Sequence, residues 1–417
     1  MAGVGHTEAL SDAPPILSNV PGSFAWGVLH QRHPQLVNQI RDAFPYPLDQ
    51  DHALDRLGRE SSAGAITPLG RRAPDRAMWD GWGRDYFGQR WIDVPFLWAE
   101  SYFYRKLLDV IGFFEPGPWA GIDPFEPFKN AELNDASLVT ELAALDRVLS
   151  LPPDERASAL VHASLWGNRA DLGFRISASS EPSADEAVEL VADDTPLLWS
   201  ILTDQPGDIC IVADNAGREL LADLLLIDHL LSGHRAATVT LHVKPCPYYV
   251  SDATTADLIA CLRRLRQAPG HVAEAGRRLW QALRIGRLAV RTHAFFCAPW
   301  PYHHMPADLA EQFGSAALTI MKGGLNYRRL VSDCYWPPTT LFASLTRYFP
   351  GPVAALRTLK SDVVVGLDEQ VLTTLDSTVR LPAGQRTAGE QIRNGRVLDT
   401  GRRQHVQQRL GLLLRCG

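Results

Sequence analysis

The chain has 417 residues, 46% of them apolar, and a formal net charge of −6 at pH 7. This length suggests two or three domains, or one large domain with a helical attachment, and the apolar fraction allows a substantial core. The acidic balance offers no field that would attract nucleic acid or an anionic membrane surface, and no basic stripe interleaved with aromatic residues is present. We therefore expect no nucleic acid and no membrane among the partners.

Cysteine usage and the first residues indicate the compartment. The six cysteines form no CxxC pair, and Cys210, Cys261 and Cys297 fall in apolar runs, where a small core residue is expected. The first residues lack the basic start and apolar stretch of a signal peptide, and no run approaches the ~20 apolar residues that cross a bilayer. These features predict a cytoplasmic protein in a reducing environment.

The first half of the chain is predicted to be helical. Residues 1–20, rich in small residues and proline, predict a flexible N-terminal arm. Residues 21–194 predict a mainly helical region, because apolar residues recur there at helical spacing. The segments with this spacing are 25–44, 94–114 and 137–151. The stretch 177–194 is short of large apolar residues and is interpreted as a linker or exposed excursion.

Residues 195–417 predict an α/β core. β-rich runs alternate with helical segments, which is typical of a mostly parallel sheet covered by helices on both faces, a three-layer α/β/α sandwich. The predicted strands are 208–214, 237–244, 286–296, 316–322 and 362–367, and the helices between them include 218–231 and 254–267. Ligands of such sheets bind beyond the carboxyl ends of the strands, so the polar residues there are the candidates for function.

The first polar cluster follows the strand at 208–214. Asp214 and Asn215 precede Gly217 and a long helix. A carboxylate and an amide oxygen suit Mg²⁺ or Mn²⁺, and the helix start at Gly217 offers N–H groups to a phosphate. The alternative is an ordinary helix cap, since Asp and Asn are favoured there.

The second cluster lies after the strand at 237–244. Lys244 ends that strand, and Asp252 precedes the next helix. Asp252 could be a helix cap and Lys244 a solvated strand end. If the two strands are neighbours, however, Asp252 reaches the same point as Asp214, and two carboxylates that meet there would repel each other without a cation.

Basic residues lie close to two further β-rich runs. Lys322, Gly323 and Gly324 are followed by Asn326, Arg328 and Arg329, and the last β-rich run is preceded by Arg357 and Lys360. A glycine turn lets backbone N–H groups face an anion, and cations pair with phosphate oxygens. A single such cation is usually a solvated surface residue, but their repetition at successive strand ends indicates a phosphate site.

Seven segments in order give the chain a resemblance to a known family. They are WIDVPFLWAESYFYRKLL (91–108), LWGNRADL (165–172), VADNAGREL (212–220), LHVKPCPYYVSD (241–252), FFCAPWPYHHM (295–305), KGGLNYRRL (322–330) and RTLKSDVVVGL (357–367). With these motifs the chain resembles the DUF89 damage-control phosphatases, in the subgroup that includes the ARMT1-like proteins and carries an RTxK element. The resemblance extends from about residue 21 to residue 367.

The resemblance implies a fold and a set of site residues. It implies an α/β sandwich with an attached helical region, and a divalent cation (Mn²⁺, Mg²⁺, Co²⁺ or Ni²⁺) bound by Asp214, Asn215 and Asp252. These three are the expected catalytic residues. The residues expected to bind the substrate or its phosphate, from the resemblance and from the strand ends together, are Glu100, Arg105, Asn168, Gly217, Lys322, Asn326, Arg328 and Lys360.

The activity that the resemblance implies is hydrolysis of small phosphorylated metabolites, including fructose phosphates. One alternative is a carboxyl methyltransferase that uses S-adenosylmethionine, although the first strand ends in DNAG and not in a glycine-rich nucleotide loop. Another is a diverged member recruited to another reaction or to metabolite binding, because Gly324 stands where the family usually has Asp. His303 and His304 stand where the family has Trp and Glu, and they are interpreted as a proton donor or as residues of the pocket rim or surface. The oligomeric state is left open.

Overall fold

The structure is a computed structural model that describes residues 13–166, 190–204, 206–358, 361, 363–371 and 410–415. Helices fill its first part: α1 (Phe24–Gly27), a π-helical turn (Val28–Arg32), α2 (His33–Ala43), α3 (Leu48–Ala63), α4 (Arg76–Trp82), a 3₁₀ turn (Trp91–Asp93), α5 (Phe96–Val110), α6 (Glu126–Asn134), α7 (Ser137–Leu149) and α8 (Pro153–Trp166). Within the described ranges, no helix combines the length and apolar character that a membrane crossing requires.

Helix α5 is the centre of the helical part. Every residue from Phe96 to Leu108 is buried, including the polar Glu100, Ser101, Arg105 and Lys106. Its Trp98 and Tyr102 stack on each other with ring centroids 4.8 Å apart, and Trp79 of α4 packs against both. Aromatic packing thus fixes α5 against its neighbours, and the polar residues of α5 are held rigidly.

The second part contains a seven-stranded sheet. Its strands are β1 (Leu190–Asp193), β2 (Gly207–Val212), β3 (Ala236–Val243), β4 (Leu288–Thr292), β5 (Leu318–Lys322), β6 (Val353–Thr358) and β7 (Leu410–Arg415). They lie in the order β1-β7-β6-β5-β2-β3-β4. The five strands from β6 to β4 are parallel, β7 runs antiparallel to β6, and β1 is parallel to β7. β2 lies inside the sheet, so its carboxyl end adjoins those of β3 and β5.

Helices cover both faces of this sheet. They are α9 (Thr195–Asp204), α10 (Arg218–Ser232), α11 (Thr255–Gln267), α12 (Gly270–Arg284), α13 (Ala307–Ser315), α14 (Gly323–Leu330) and α15 (Phe342–Leu345), with 3₁₀ turns at Ala294–Cys297 and Tyr302–His304. Alternate residues of β2 face opposite sides, as strand geometry requires. Ile209 and Ile211 join the core that includes α8, α10, α11 and α12, and Cys210 and Val212 join the core that includes α13 and α14. The predicted α/β/α sandwich is confirmed.

Two parts of the sheet differ from the sequence prediction. The strand predicted at 362–367 is wrong, because the strand beside β5 is β6, which ends at Thr358. Val363 and Val365 are buried in an extended segment, and the Val365 N–H donates to the Tyr327 hydroxyl at 3.0 Å. The apolar run was predicted to be a strand because its valines are buried, although they are buried outside the sheet. β1 adds a strand at the end of the range predicted to be helical, and the domain boundaries stay a prediction.

Part of the predicted N-terminal arm is docked on the fold. Ile16 and Ser18 are almost fully buried. The Ile16 N–H donates to the carbonyl of Asp333, and the Ile16 carbonyl accepts from the N–H of Phe96 at the start of α5. These bonds connect α5 with the segment after α14, so this short stretch joins the helical part to the sheet part.

Candidate metal and phosphate site

The carboxyl ends of β2 and β3 bring Asp214, Asn215 and Asp252 together. The two strands pair in parallel as far as Val212 and His242. Beyond them, Asn215 forms an isolated antiparallel pairing with Asp252. The N–H of Ala253 donates to the Asp214 carbonyl at 2.8 Å, so the two loops are bonded backbone to backbone. This is the convergence that neighbouring strand ends predict.

None of these three residues is a helix cap. The N-cap residue of α10 is Gly217. Helix α11 begins with a capping box in which Thr254 and Asp257 bond each other's backbone N–H groups. The alternative that Asp214, Asn215 and Asp252 serve as ordinary caps is therefore wrong.

Asp252 is a buried carboxylate beside a buried lysine. Its residue is 2% exposed, and Nζ of Lys244 lies 3.3 Å from its Oδ2. That Oδ2 accepts no well-aligned hydrogen bond from the described residues. Burial raises the pKa of Asp252 to about 6, although Lys244 acts in the opposite direction. One buried oxygen of this carboxylate thus has an ion-pair partner but no aligned hydrogen bond, and the interpretation of Lys244 as a solvated strand end is wrong.

The side chain of Asn215 is fixed in one orientation. Its amide nitrogen donates to Oδ2 of Asp214 at 3.0 Å and to Oε2 of Glu219 at 2.8 Å. Its amide oxygen accepts from the Ser251 hydroxyl at 2.5 Å, next to Asp252. Two carboxylates and an oriented amide oxygen form a hard donor set, and the unsatisfied Oδ2 of Asp252 is what a cation would complete. The residues therefore fit a divalent cation.

Gly323 lets the Asp214 carboxylate approach the start of α14. Its φ is +78°, in the left-handed region that favours glycine. A Cβ at this position would lie 1.8 Å from Oδ2 of Asp214. Glycine is therefore required here both by conformation and by space. At Gly324 an added Cβ would meet nothing within 4 Å.

Lys322 is buried in a cluster of acidic and hydroxyl groups. Its ammonium lies 3.0 Å from Oδ1 of Asp223 and 3.5 Å from Oε1 of Glu219. It also donates to the hydroxyl and the carbonyl of Ser164. Burial raises the pKa of Asp223 to about 6, against the effect of Lys322. Glu219 also accepts a hydrogen bond from the Asn215 amide. Glu219 therefore contacts both Lys322 and one of the proposed cation ligands.

Arg328 is paired with two buried carboxylates. Its guanidinium makes a bidentate contact with Asp333, with both distances 2.7 Å, and a third bond of 2.7 Å to Oε2 of Glu100. Asn326 is fully buried too, where its side chain bonds Tyr302 and the carbonyls of Lys322 and Ala213. Direct substrate contact by Arg328, Glu100 and Asn326 stays a prediction. It would require a substrate group to replace the hydrogen-bond partners that these side chains have in the structure.

The remaining predicted residues lie elsewhere or have other partners. The carboxylate of Glu132 lies against Gly217 and accepts the N–H of Arg218 at 3.1 Å, so a protein anion already occupies this helix start. Arg105 pairs with Asp75 on the other side of α5. Asn168 and Lys360 lie outside the described residues.

Several site residues were not predicted as such from the sequence. Glu219 and Ser251 bond the Asn215 amide, and Asp223 pairs with Lys322. Glu219 and Asp223 are four residues apart on α10, which places them on one face. That spacing after Asp214 and Asn215 was a usable signal.

His303 stacks on Tyr348, and burial lowers the pKa of His303 to about 4. In the described part of the chain, no group of three or more His, Cys, Asp or Glu side chains is placed to hold a metal, but the donor set here includes an asparagine.

Comparison with known proteins places the chain in a family. A family model described as the damage-control phosphatase ARMT1-like domain matches residues 28–374. Damage-control phosphatase ARMT1 of Mus musculus is 28% identical over 411 residues, covering 86% of this chain and 93% of that protein. The protein of the same name from Bos taurus is 30% identical over 400 residues, covering 83% and 90%.

Among solved structures, a DUF89 family protein from Pyrococcus horikoshii is 16% identical, with a TM-score of 0.46, and covers 80% of this chain and 90% of that one. The family model matches most of the chain, and it confirms the resemblance carried by the seven motifs. The chain belongs to the damage-control phosphatase ARMT1-like family.

Proposed function

We propose that the chain is a metal-dependent phosphatase that hydrolyses small phosphorylated metabolites, with sugar phosphates such as fructose phosphates as the expected class. The observation that carries this proposal is the meeting of Asp214, Asn215 and Asp252 at the carboxyl end of the sheet, where the buried Oδ2 of Asp252 accepts no well-aligned hydrogen bond from the described residues. Family membership and the name of the curated relatives support the same activity.

Asp214, Asn215 and Asp252 would hold the cation, which is Mn²⁺, Mg²⁺, Co²⁺ or Ni²⁺ in this proposal. When bound, it supplies positive charge to the phosphate oxygens. Glu219 and Ser251 keep the Asn215 amide in one orientation. Asp214 lies against the first residue of α14, where the backbone N–H groups of the first turn and the helix dipole favour an anion.

The basic residues give the site its rigidity in this proposal. Lys322 and Arg328 are immobilised by buried carboxylates, so they would act on a nearby phosphate as fixed charges, and direct contact would require these ion pairs to exchange. Phosphoryl transfer depends mainly on positioning and on stabilisation of charge, and a rigid set of cations supplies both. The phosphate ester itself would bind at the edge of the sheet, beyond β2, β3 and β5.

The test measures phosphate release from a panel of sugar and nucleoside phosphates by protein freed of metal with a chelator, with each of the four cations added in turn. We expect cation-dependent release, reduced on the order of 100-fold in Asp252→Asn. Asp228→Asn is the matched control, because Asp228 is also a buried aspartate but pairs with Arg278 at the far end of α10. A folded Asp252→Asn protein with full activity, or release that needs no cation, would refute the proposal.

A further inference from the structure

The two residues that precede Ser251 and Asp252 have a strained backbone. Tyr249 has φ +45° and Val250 has φ +66°, so two consecutive residues with side chains lie in the left-handed region. For a β-branched residue such as Val250 this conformation is a clear outlier. Such strain persists only where the surrounding structure imposes it, and it concentrates at functional sites.

At one end the segment is attached to the loop after β2. The Ser251 carbonyl accepts from the N–H of Ala216 at 2.6 Å, and the Ser251 hydroxyl donates to the Asn215 amide oxygen at 2.5 Å. Within the segment, the N–H of Ser251 donates to the Tyr249 carbonyl at 2.7 Å across Val250, and the N–H of Asp252 donates to the Tyr248 carbonyl at 3.3 Å. The left-handed turn at Val250 therefore depends on where Tyr249 is held.

The side chain of Tyr249 supplies the second attachment, and its partners are on α5. Its ring stacks on Tyr104 with centroids 4.7 Å apart and an interplanar angle of 27°. Its hydroxyl lies 3.2 Å from the hydroxyl of Ser101. Both partners are buried on the helix that the aromatic core fixes most firmly. The strained dipeptide therefore lies between a rigid helix and the loop that carries Asp214 and Asn215.

We propose that Tyr249 is a positioning residue: anchored on Ser101 and Tyr104, it keeps the Tyr249–Val250 dipeptide in its left-handed conformation and so places Asp252 beside Asn215 for the cation. This inference rests on the proposed function, since it assigns a role towards the cation of that site. In this inference the helical part of the chain contributes to the site, because contacts on α5 stabilise the strained backbone next to Asp252.

The test measures Mn²⁺ binding to the full-length, chelator-treated protein by calorimetry, without substrate. We expect Tyr249→Ala to weaken Mn²⁺ binding by roughly tenfold, as loss of a residue that orients a metal ligand does. Tyr249→Phe keeps the ring stack and removes only the hydroxyl contact, so we expect a smaller loss from a protein that folds. Tyr102→Phe is the matched control on α5, because its hydroxyl bonds Thr67 and not the strained segment.

The Val250→Gly substitution separates positioning from a general structural role. Glycine adopts a positive φ without strain, so in the Val250→Gly background Tyr249→Ala should cost clearly less Mn²⁺ affinity than in the wild type. Two results would overturn the inference, provided that Mn²⁺ binding by the wild type depends on Asp252. One is unchanged Mn²⁺ affinity in both Tyr249→Ala and Tyr249→Phe. The other is the same loss of affinity from Tyr249→Ala in the wild type and in the Val250→Gly background. If wild-type protein shows no Mn²⁺ binding that Asp252→Asn removes, the proposed function fails and this inference fails with it.

Discussion

The ammonium group of Lys244 lies 3.3 Å from Oδ2 of Asp252, and both side chains are almost completely buried. Lys244 also donates to the carbonyl of Phe296 at 3.2 Å, and the ring of Tyr248 lies 5.7 Å away. A lysine thus neutralises part of the charge of Asp252 at the point where the proposed function puts a divalent cation. Lys244 and the cation would share one carboxylate, so their effects on stability should be linked.

Replacing Lys244 with methionine tests this linkage. Lys244→Met keeps an unbranched side chain that is one atom shorter and leaves Asp252 without its ammonium partner, so the cation-free protein should lose about 3 kcal/mol of stability. Added Mn²⁺ should then raise the melting temperature more in the variant than in the wild type. Lys129→Met is the control, since Lys129 is also buried but pairs with Asp123 and Asp257. If Mn²⁺ raises the melting temperature equally in Lys244→Met and in the wild type, the linkage is contradicted.

Two adjacent glycines at the start of α14 should respond in opposite directions to the same substitution. Gly323→Ala puts a Cβ against the Asp214 carboxylate at a positive φ, and we expect a loss of about 2 kcal/mol or more together with weaker cation binding. Gly324→Ala adds a Cβ in open space within a helix, and we expect a gain of about 0.5–1 kcal/mol. Urea unfolding of both proteins measures the difference. The same effect in both variants would show that contact with Asp214 is not what requires Gly323.

The sequence located β2, β3, β4 and β5. A parallel strand between two helical layers is a short apolar run, as β2 and β5 are, whereas the edge strand β4 is only partly buried. The run at 363–365 is equally apolar, but it packs beneath Tyr327 without joining the sheet. Local sequence cannot distinguish these cases, since both bury the same side chains. β7 pairs with β6 from a distant part of the chain, which no local pattern reveals.

For the site as well, features set by neighbouring residues could be predicted, and contacts between residues far apart in the chain could not. Asp214, Asn215 and Asp252 could be found because each follows a strand. The partners of the basic residues could not be found, because a cation at a strand end can serve a phosphate or a buried carboxylate. Arg328 illustrates the limit, since its partner Glu100 lies 228 residues away in the chain. Only the fold shows that this charge is already paired.

The pairing of Arg328 predicts a large effect on stability. Arg328→Met leaves the carboxylates of Glu100 and Asp333 buried without their cation, so we expect a loss of about 3–5 kcal/mol in the free energy of unfolding. Arg59→Met removes the exposed pair with Asp55 and should have little effect. Denaturant unfolding compares the two. A stable Arg328→Met protein whose KM alone is raised would show that Arg328 serves the substrate and not the fold.

The buried imidazole of His242 predicts a specific response to acid. Neither ring nitrogen has a hydrogen-bond partner among the described residues, and the rings of Phe296 and Phe313 lie 5.4 and 5.6 Å away. Burial lowers the pKa of His242 from 6.5 to about 4. The unfolded chain therefore binds the proton more readily than the folded one. The stability that the neutral imidazole provides is complete above pH ~6.5 and is lost as the pH falls towards ~4.

We expect His242→Phe to remove this acid sensitivity. Between about pH 7.5 and about pH 5, the wild type should lose about 2 kcal/mol more stability than the variant, measured by urea unfolding. Asp223 and Asp252 have raised pKa values, and both carboxyl groups gain relative stability as the pH falls through about 6. They are present in both proteins, so their contribution cancels in the comparison. His52→Gln, at an exposed histidine, should follow the wild type. If His242→Phe follows the wild type as well, His242 is protonated in the folded protein and its burial does not lower its pKa.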